Sequence, residues 1–218
     1  PNSFDDSERA AAVTALKERI DEAADVGATS LALLSGPDPG ADRRAAAIDI
    51  LATSLQELCD YGLDADVAIT LETFDRTIDK RALIGPSDDA VEVARLVNRD
   101  NFGLMLDLSH LPLQAESAQK ALTTAQYQLV HVHIGNCVMR DPDHPAYGDM
   151  HPHFGVPGGE NDVDELVEFL GVLMDIGFLV PSDDPPIVSF EVKPMAGQTS
   201  DVVLANAKRT LTRAWARL

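Results

Sequence analysis

Positive charge is scarce in this chain. Only five of its 218 residues are lysine, and 17 basic residues face 36 acidic ones, for a formal net charge of −19. Nucleic-acid binding rests on neutralising phosphates, so a polynucleotide partner is disfavoured, and an anionic membrane surface with it. Aspartate supplies most of the excess, 25 against 11 glutamates, which we read only as a solubility feature. Cysteine is equally sparse. Cys59 and Cys137 stand alone and read as unlinked thiols of a cytoplasmic protein, not as a disulfide framework. Long apolar runs are missing too; none approaches the roughly 18 residues that span a bilayer. No signal peptide is visible, but the chain opens on Pro1, so that absence carries little weight. What is left is ample for one globular domain with a real core: 45% hydrophobic residues and a mean hydropathy of −0.06.

Helix-type and strand-type segments alternate. Val13, Leu16, Ile20 and Ala24 recur at helical spacing and Gly27 closes the run. A strand at 30–34, a helix at 41–61 and a strand ending at Glu72 follow. A helix over 88–99 leads to a strand ending at Asp107, and a helix over 113–125 leads to one ending at His133. A Pro-, Gly- and His-rich loop spans 135–161. Asp162, with Glu165 three residues on, then announces a helix through a capping box. The last strand ends at Glu191 and a helix from about 200 closes the chain. Five strands alternating with helices predict a parallel α/β sheet.

The strand endings carry the chemistry. Ile69-Thr70-Leu71-Glu72, Leu104-Met105-Leu106-Asp107, Val130-His131-Val132-His133 and Val188-Ser189-Phe190-Glu191 each run apolar and stop on a carboxylate or an imidazole. A buried strand has no reason to end on an unpaired charge, because desolvating it is costly. In parallel α/β folds, functional groups gather at the C-terminal strand ends, and endings from several successive strands suit a barrel better than a doubly wound sheet. A closed (β/α)8 barrel needs eight strands and five are legible. The expectation is the C-terminal five β/α units of a TIM barrel, a single N-terminally incomplete domain over 1–218.

Glu72, Asp107, His133 and Glu191 make a donor set for a hard or borderline divalent cation. Two glutamates flanking a substrate can also exchange a proton at a carbon next to a carbonyl. His110, three residues past Asp107, can face the same cavity and reads as a substrate contact, or as a ligand to a second metal if there is one. His131, deeper on its strand, reads as a hydrogen-bonded core histidine. Arg140 and Lys193 are further candidate substrate contacts, the latter on condition that the strand persists past Glu191. Asp149 and His151 have ligand spacing and could hold a second metal, or belong to an ordered lid.

In this order, Glu72, Asp107-x-x-His110, His133 and Glu191 resemble the xylose isomerase-like TIM barrels. Val-His-Val-His-Ile-Gly-Asn and Val-Ser-Phe-Glu-Val-Lys-Pro are similar to that family's seventh and eighth strands, and the two preceding endings to its fifth and sixth. The resemblance implies a sugar or sugar-phosphate isomerase or epimerase using Mn, Co, Mg or Zn. Glu72 and Glu191 would be both ligands and acid/base pair, working through an enediolate in the cytoplasm. A homo-oligomer is a family-level expectation. A polyol dehydratase of the inosose type is the alternative. Asp149-Met150-His151 also resembles an endonuclease IV motif, a reading the charge opposes. A metal-binding scaffold without activity is the remaining, non-enzymatic reading.

Overall fold

The computed structural model describes residues 1–183 and 185–218. The elements are α1 (Asp6–Asp25), β1 (Ser30–Leu34), α2 (Ala41–Asp64), β2 (Ala68–Glu72), α3 (Ser87–Val97), β3 (Phe102–Asp107), α4 (His110–Gln114), α5 (Ala118–Ala125), β4 (Leu129–Gly135), α6 (Val163–Asp175), β5 (Ile187–Glu191) and α7 (Ser200–Trp215). The strands hydrogen-bond in chain order, β1-β2-β3-β4-β5, and β1–β2, β2–β3 and β4–β5 pair in parallel. The five expected β/α units are all present. No helix among the described residues is long and apolar enough to cross a membrane.

Two compact units divide the chain. The first is Pro1–Met105 with Tyr127–Val130, the second Leu106–Gln126 with His131–Leu218. In the first unit, Asp5 caps α1 by accepting the N–H groups of Ser7 and Glu8 at 2.8 and 3.0 Å. Leu51, Leu55 and Leu58 of α2 are fully buried, as are Ile69 and Leu71 of β2. Each such side chain contributes roughly 1.5–3 kcal/mol relative to exposure. The β2–β3 register sets Glu72 against Met105, and β4 begins beside β3 through Leu104 N–H donating to Gln128 O at 2.7 Å. Gly103 is required there: a Cβ on it would lie 2.4–2.5 Å from the Val130 methyls.

In the second unit, the ladder continues with Leu108 N–H donating to His133 O at 3.1 Å. The expected capping box is present at α6, where Asp162 N–H donates to Glu165 Oε2 at 2.9 Å. Leu166, Phe169, Leu170 and Leu173 of that helix are buried.

Four boundaries differ from expectation, the first being α2, which runs three residues past 61 to Asp64. α3 stops at Val97 because Asn98 turns left-handed, φ 46°, and its N–H returns to Ala94 O. The helix expected over 113–125 is two short ones, broken by left-handed Ala115 (φ 55°) and restarted by Ser117, whose Oγ accepts Lys120 N–H. β4 runs two residues past His133, to Gly135.

Candidate metal centre

Asp107, His133 and Glu191 come together in the second unit. Asp107 and Glu191 are the last residues of β3 and β5, and His133 lies in β4 at the register of Ser189. One ligand atom from each lies within 4.8 Å of the others. His133 Nδ1 donates to Glu191 Oε2 and stands 3.8 Å from Asp107 Oδ2.

Asp107 is fully buried. Its Oδ1 accepts Ser109 N–H at 2.6 Å, whereas Oδ2 has no hydrogen-bond partner among the described residues, the His133 and His151 Nδ1 atoms standing 3.8 Å away. A buried carboxylate oxygen left in that state is costly. A divalent cation between Asp107, His133 and Glu191 would satisfy it, and two carboxylates with an imidazole are a suitable donor set. Burial pushes the Asp107 carboxyl above the usual range, against the pull of His110 and His151. Burial also opposes ionisation of Glu191. The His133 hydrogen bond and the nearby His151 charge outweigh it and hold Glu191 at about 2.

Beside this set lies a second. Asp149 Oδ1 is 3.0 Å from His110 Nε2 and 2.7 Å from His151 Nε2. His151 Nε2 is also 3.3 Å from Glu191 Oε1, and its Nδ1 is 3.3 Å from Ser109 Oγ. Burial opposes a charge on Asp149, but the two histidine hydrogen bonds hold its carboxyl far below the ordinary range. Burial likewise opposes a charge on His151, yet Asp149 and the neighbouring carboxylates raise it. One ligand atom each from Asp107, His110 and His151 also lies within 4.8 Å of the others. His151 adopts φ 47°, outside the usual range for a residue with a Cβ, and Lys193 N–H donates to its carbonyl at 2.7 Å.

Glu72 ends β2 in the first unit and is buried. Arg140 is exposed and clasps Glu160 Oε2 at 2.6 Å. Lys193 is exposed as well. β5 stops at Glu191, so strand alternation does not reach Lys193. His131 is hydrogen-bonded as expected, with Nε2 3.0 Å from Ser189 Oγ, but it is half-buried and not part of the core.

Sequence reasoning missed Ser109, Asn136 and Asn161. The last two are buried amides in the loop between β4 and α6. Each is an asparagine beside glycine or a helix cap, where turn chemistry is the ordinary explanation, so nothing in the sequence marked them.

Comparison with known proteins puts this geometry in context. No curated protein matches the sequence. Among solved structures, a D-tagatose 3-epimerase-like protein superposes with a TM-score of 0.76 at 19% identity, covering 99% of this chain and 73% of its own. The IolI protein, crystallised with a zinc atom, gives 0.76 at 20% identity, with 99% and 73% coverage. A D-psicose 3-epimerase from Clostridium cellulolyticum H10 gives 0.63 at 20% identity, and this chain spans 64% of its length. The sequence profile of the xylose isomerase-like TIM barrel family matches residues 1–203 and so runs through both compact units. The chain belongs to the xylose isomerase-like TIM barrel family.

Proposed function

We propose that this protein is a divalent-metal-dependent isomerase or epimerase of a small sugar or sugar phosphate. The observation that carries the reading is Asp107 Oδ2, a buried carboxylate oxygen without a hydrogen-bond partner among the described residues, grouped with His133 and Glu191. Asp107, His133 and Glu191 would hold the cation, and Glu72 is assigned as the fourth ligand from its place at a strand end. Manganese is the first candidate among Mn, Co, Mg and Zn. When bound, the cation supplies Lewis-acid polarisation of the substrate's oxygens.

The chain's own groups would carry the proton. One glutamate removes hydrogen from the carbon beside the carbonyl, and the C–H electron pair moves into the carbon skeleton as an enediolate forms. The other glutamate returns a proton to carbon, to the opposite face in an epimerase. Glu191, held at about 2 by the His133 hydrogen bond and the His151 charge, is in the ionised form that a base requires. His110, oriented by Asp149 at 3.0 Å, is assigned to a substrate hydroxyl or carbonyl. Arg140 and Lys193 do not enter the proposal, since one is clasped to Glu160 and the other exposed past the strand. The neighbouring structures, a D-tagatose 3-epimerase-like protein and an E. coli 3-keto-D-glucoside 4-epimerase among them, support a sugar as substrate.

Asp107, His110 and His151 form a second donor group, which favours a companion reading with a second cation held beside the first, Asp149 included. Cation stoichiometry separates one site from two. A cytoplasmic, homo-oligomeric enzyme completes the proposal.

The test is deuterium exchange in D2O with a panel of ketoses, followed by NMR at the carbon next to the carbonyl. Exchange is expected with Mn(II) and not after chelation. Glu72→Gln and Glu191→Gln should each slow it by roughly 10²–10⁴, the usual worth of a positioned acid or base. Exchange at the wild-type rate in either variant rejects that residue's role, and product lacking the elements of water would assign a polyol dehydratase instead.

A further inference from the structure

In the second unit, a buried amide holds two strand ends together. Asn161 is only 3% exposed. Its Nδ2 donates to the carbonyl oxygens of Leu108 and Gly135, each at 3.1 Å. Leu108 follows Asp107 directly, and Gly135 is two residues beyond His133. The Leu108 N–H to His133 O bond ties the two strands at that level. Asn161 spans the carbonyls just beyond it. Among short side chains only a primary amide supplies two N–H donors in one plane; a hydroxyl has one and a carboxylate none. The residue type is therefore matched to two carbonyls at once.

Asn161 is itself anchored. Its backbone N–H donates to Asn136 Oδ1 at 2.8 Å, which also accepts Cys137 N–H at 2.9 Å. Asn136 Nδ2 donates to His153 O at 3.1 Å, two residues past His151. The two amides thus join the ends of β3 and β4 and the segment that carries Asp149 and His151.

We propose that Asn161 is a positioning residue, whose bridge between Leu108 and Gly135 fixes the separation of Asp107 and His133. The proposal rests on the reading that those two residues hold a cation. Losing a group that orients a metal ligand commonly weakens metal affinity by roughly tenfold to a hundredfold.

The experiment is titration with Co(II), followed by calorimetry and by the visible absorption bands, which report ligand geometry and not activity. Four proteins are compared: wild type, Asn161→Ala, Asn161→Ser and Leu122→Val, the last altering a buried α5 residue. Asn161→Ala should bind Co(II) about ten to a hundred times more weakly, with altered visible bands. Asn161→Ser, keeping one donor, should fall between, and Leu122→Val should match wild type in both readouts. Wild type that takes up no Co(II) overturns the cation reading and the bridge with it. Wild type that binds while Asn161→Ala is indistinguishable overturns the bridge alone. If Asn161→Ala does not fold, Asn161→Ser decides, and its equality with wild type is the overturning result. A band shift of equal size in Leu122→Val would assign the effect to general stability and also reject the proposal.

Discussion

At the scale of single residues, the proposed metal centre depends on how closely backbone and side chains approach. Gly135 is the tightest point: a Cβ there would stand 2.6 Å from Glu191 O, 3.2 Å from His151 Nδ1 and 3.3 Å from Ser109 Cβ. The first contact is with backbone, which cannot rotate away. Gly135→Ala should therefore force β4 and β5 apart, at a cost of about 1–3 kcal/mol by analogy with overpacked cores. It should weaken cation binding in the same protein. Thermal unfolding and a Mn(II) titration check both halves; unchanged midpoint and affinity would contradict the packing argument. The residues that such a change disturbs were unequally legible in the sequence. Asp107, His133 and Glu191 stood out because an ionisable group ending an apolar run is costly to bury. Asn161 was not legible, because its role lies in hydrogen bonds to carbonyls that are distant in sequence. Lys193 misled by periodicity alone: alternation places it on Glu191's face only while the strand lasts, and β5 ends at Glu191.

At the scale of elements, β3 and β4 lie close because β3 has a glycine where β4 presents a β-branched side chain. Gly103→Ala would set its Cβ 2.4–2.5 Å from both Val130 methyls and 3.0 Å from the Val130 Cβ. A stiff valine has few rotamers with which to give way. Gly103→Ala should lose about 1–3 kcal/mol, and Val130→Ala in the same chain should recover part of it. Chemical denaturation of the two single variants and the double variant measures that coupling. Additivity of the two changes would show that the strands accommodate the methyl another way. Strands and helices were otherwise legible from apolar spacing, which the burial of Leu51, Leu55, Leu58 and of Leu166, Phe169, Leu170 follows. The errors fell at breaks. Spacing did not signal left-handed Ala115, since an alanine gives no hint of positive φ. Nor did it signal the extension of β4 through Ile134 and Gly135, both continuous with an apolar strand.

Across the whole molecule, the order of β/α units followed from the sequence. The division into two compact units did not, because periodicity reports which face is buried and not how densely segments contact one another. The boundaries cut through β3 and β4, between Met105 and Leu106 and between Val130 and His131. Net charge acts at this scale too. With a formal net charge of −19, the folded chain repels itself, and monovalent salt should raise its melting temperature by screening over a Debye length of about 10 Å at 0.1 M. A divalent cation that binds Asp107, His133 and Glu191 adds a different effect: it stabilises the folded state by RT ln(1 + [L]/Kd), about 2.7 kcal/mol at a hundredfold excess over Kd. The two are separable. At fixed ionic strength, Mn(II) should raise the melting temperature further and keep doing so logarithmically with its concentration, whereas NaCl should level off. Asp107→Asn removes a ligand charge, so the variant should keep the NaCl effect and lose most of the Mn(II) effect. Differential scanning calorimetry of both proteins across the two titrations measures this. A Mn(II) response equal in Asp107→Asn and wild type would mean that the ion acts only as diffuse charge, and would remove Asp107 from the metal centre.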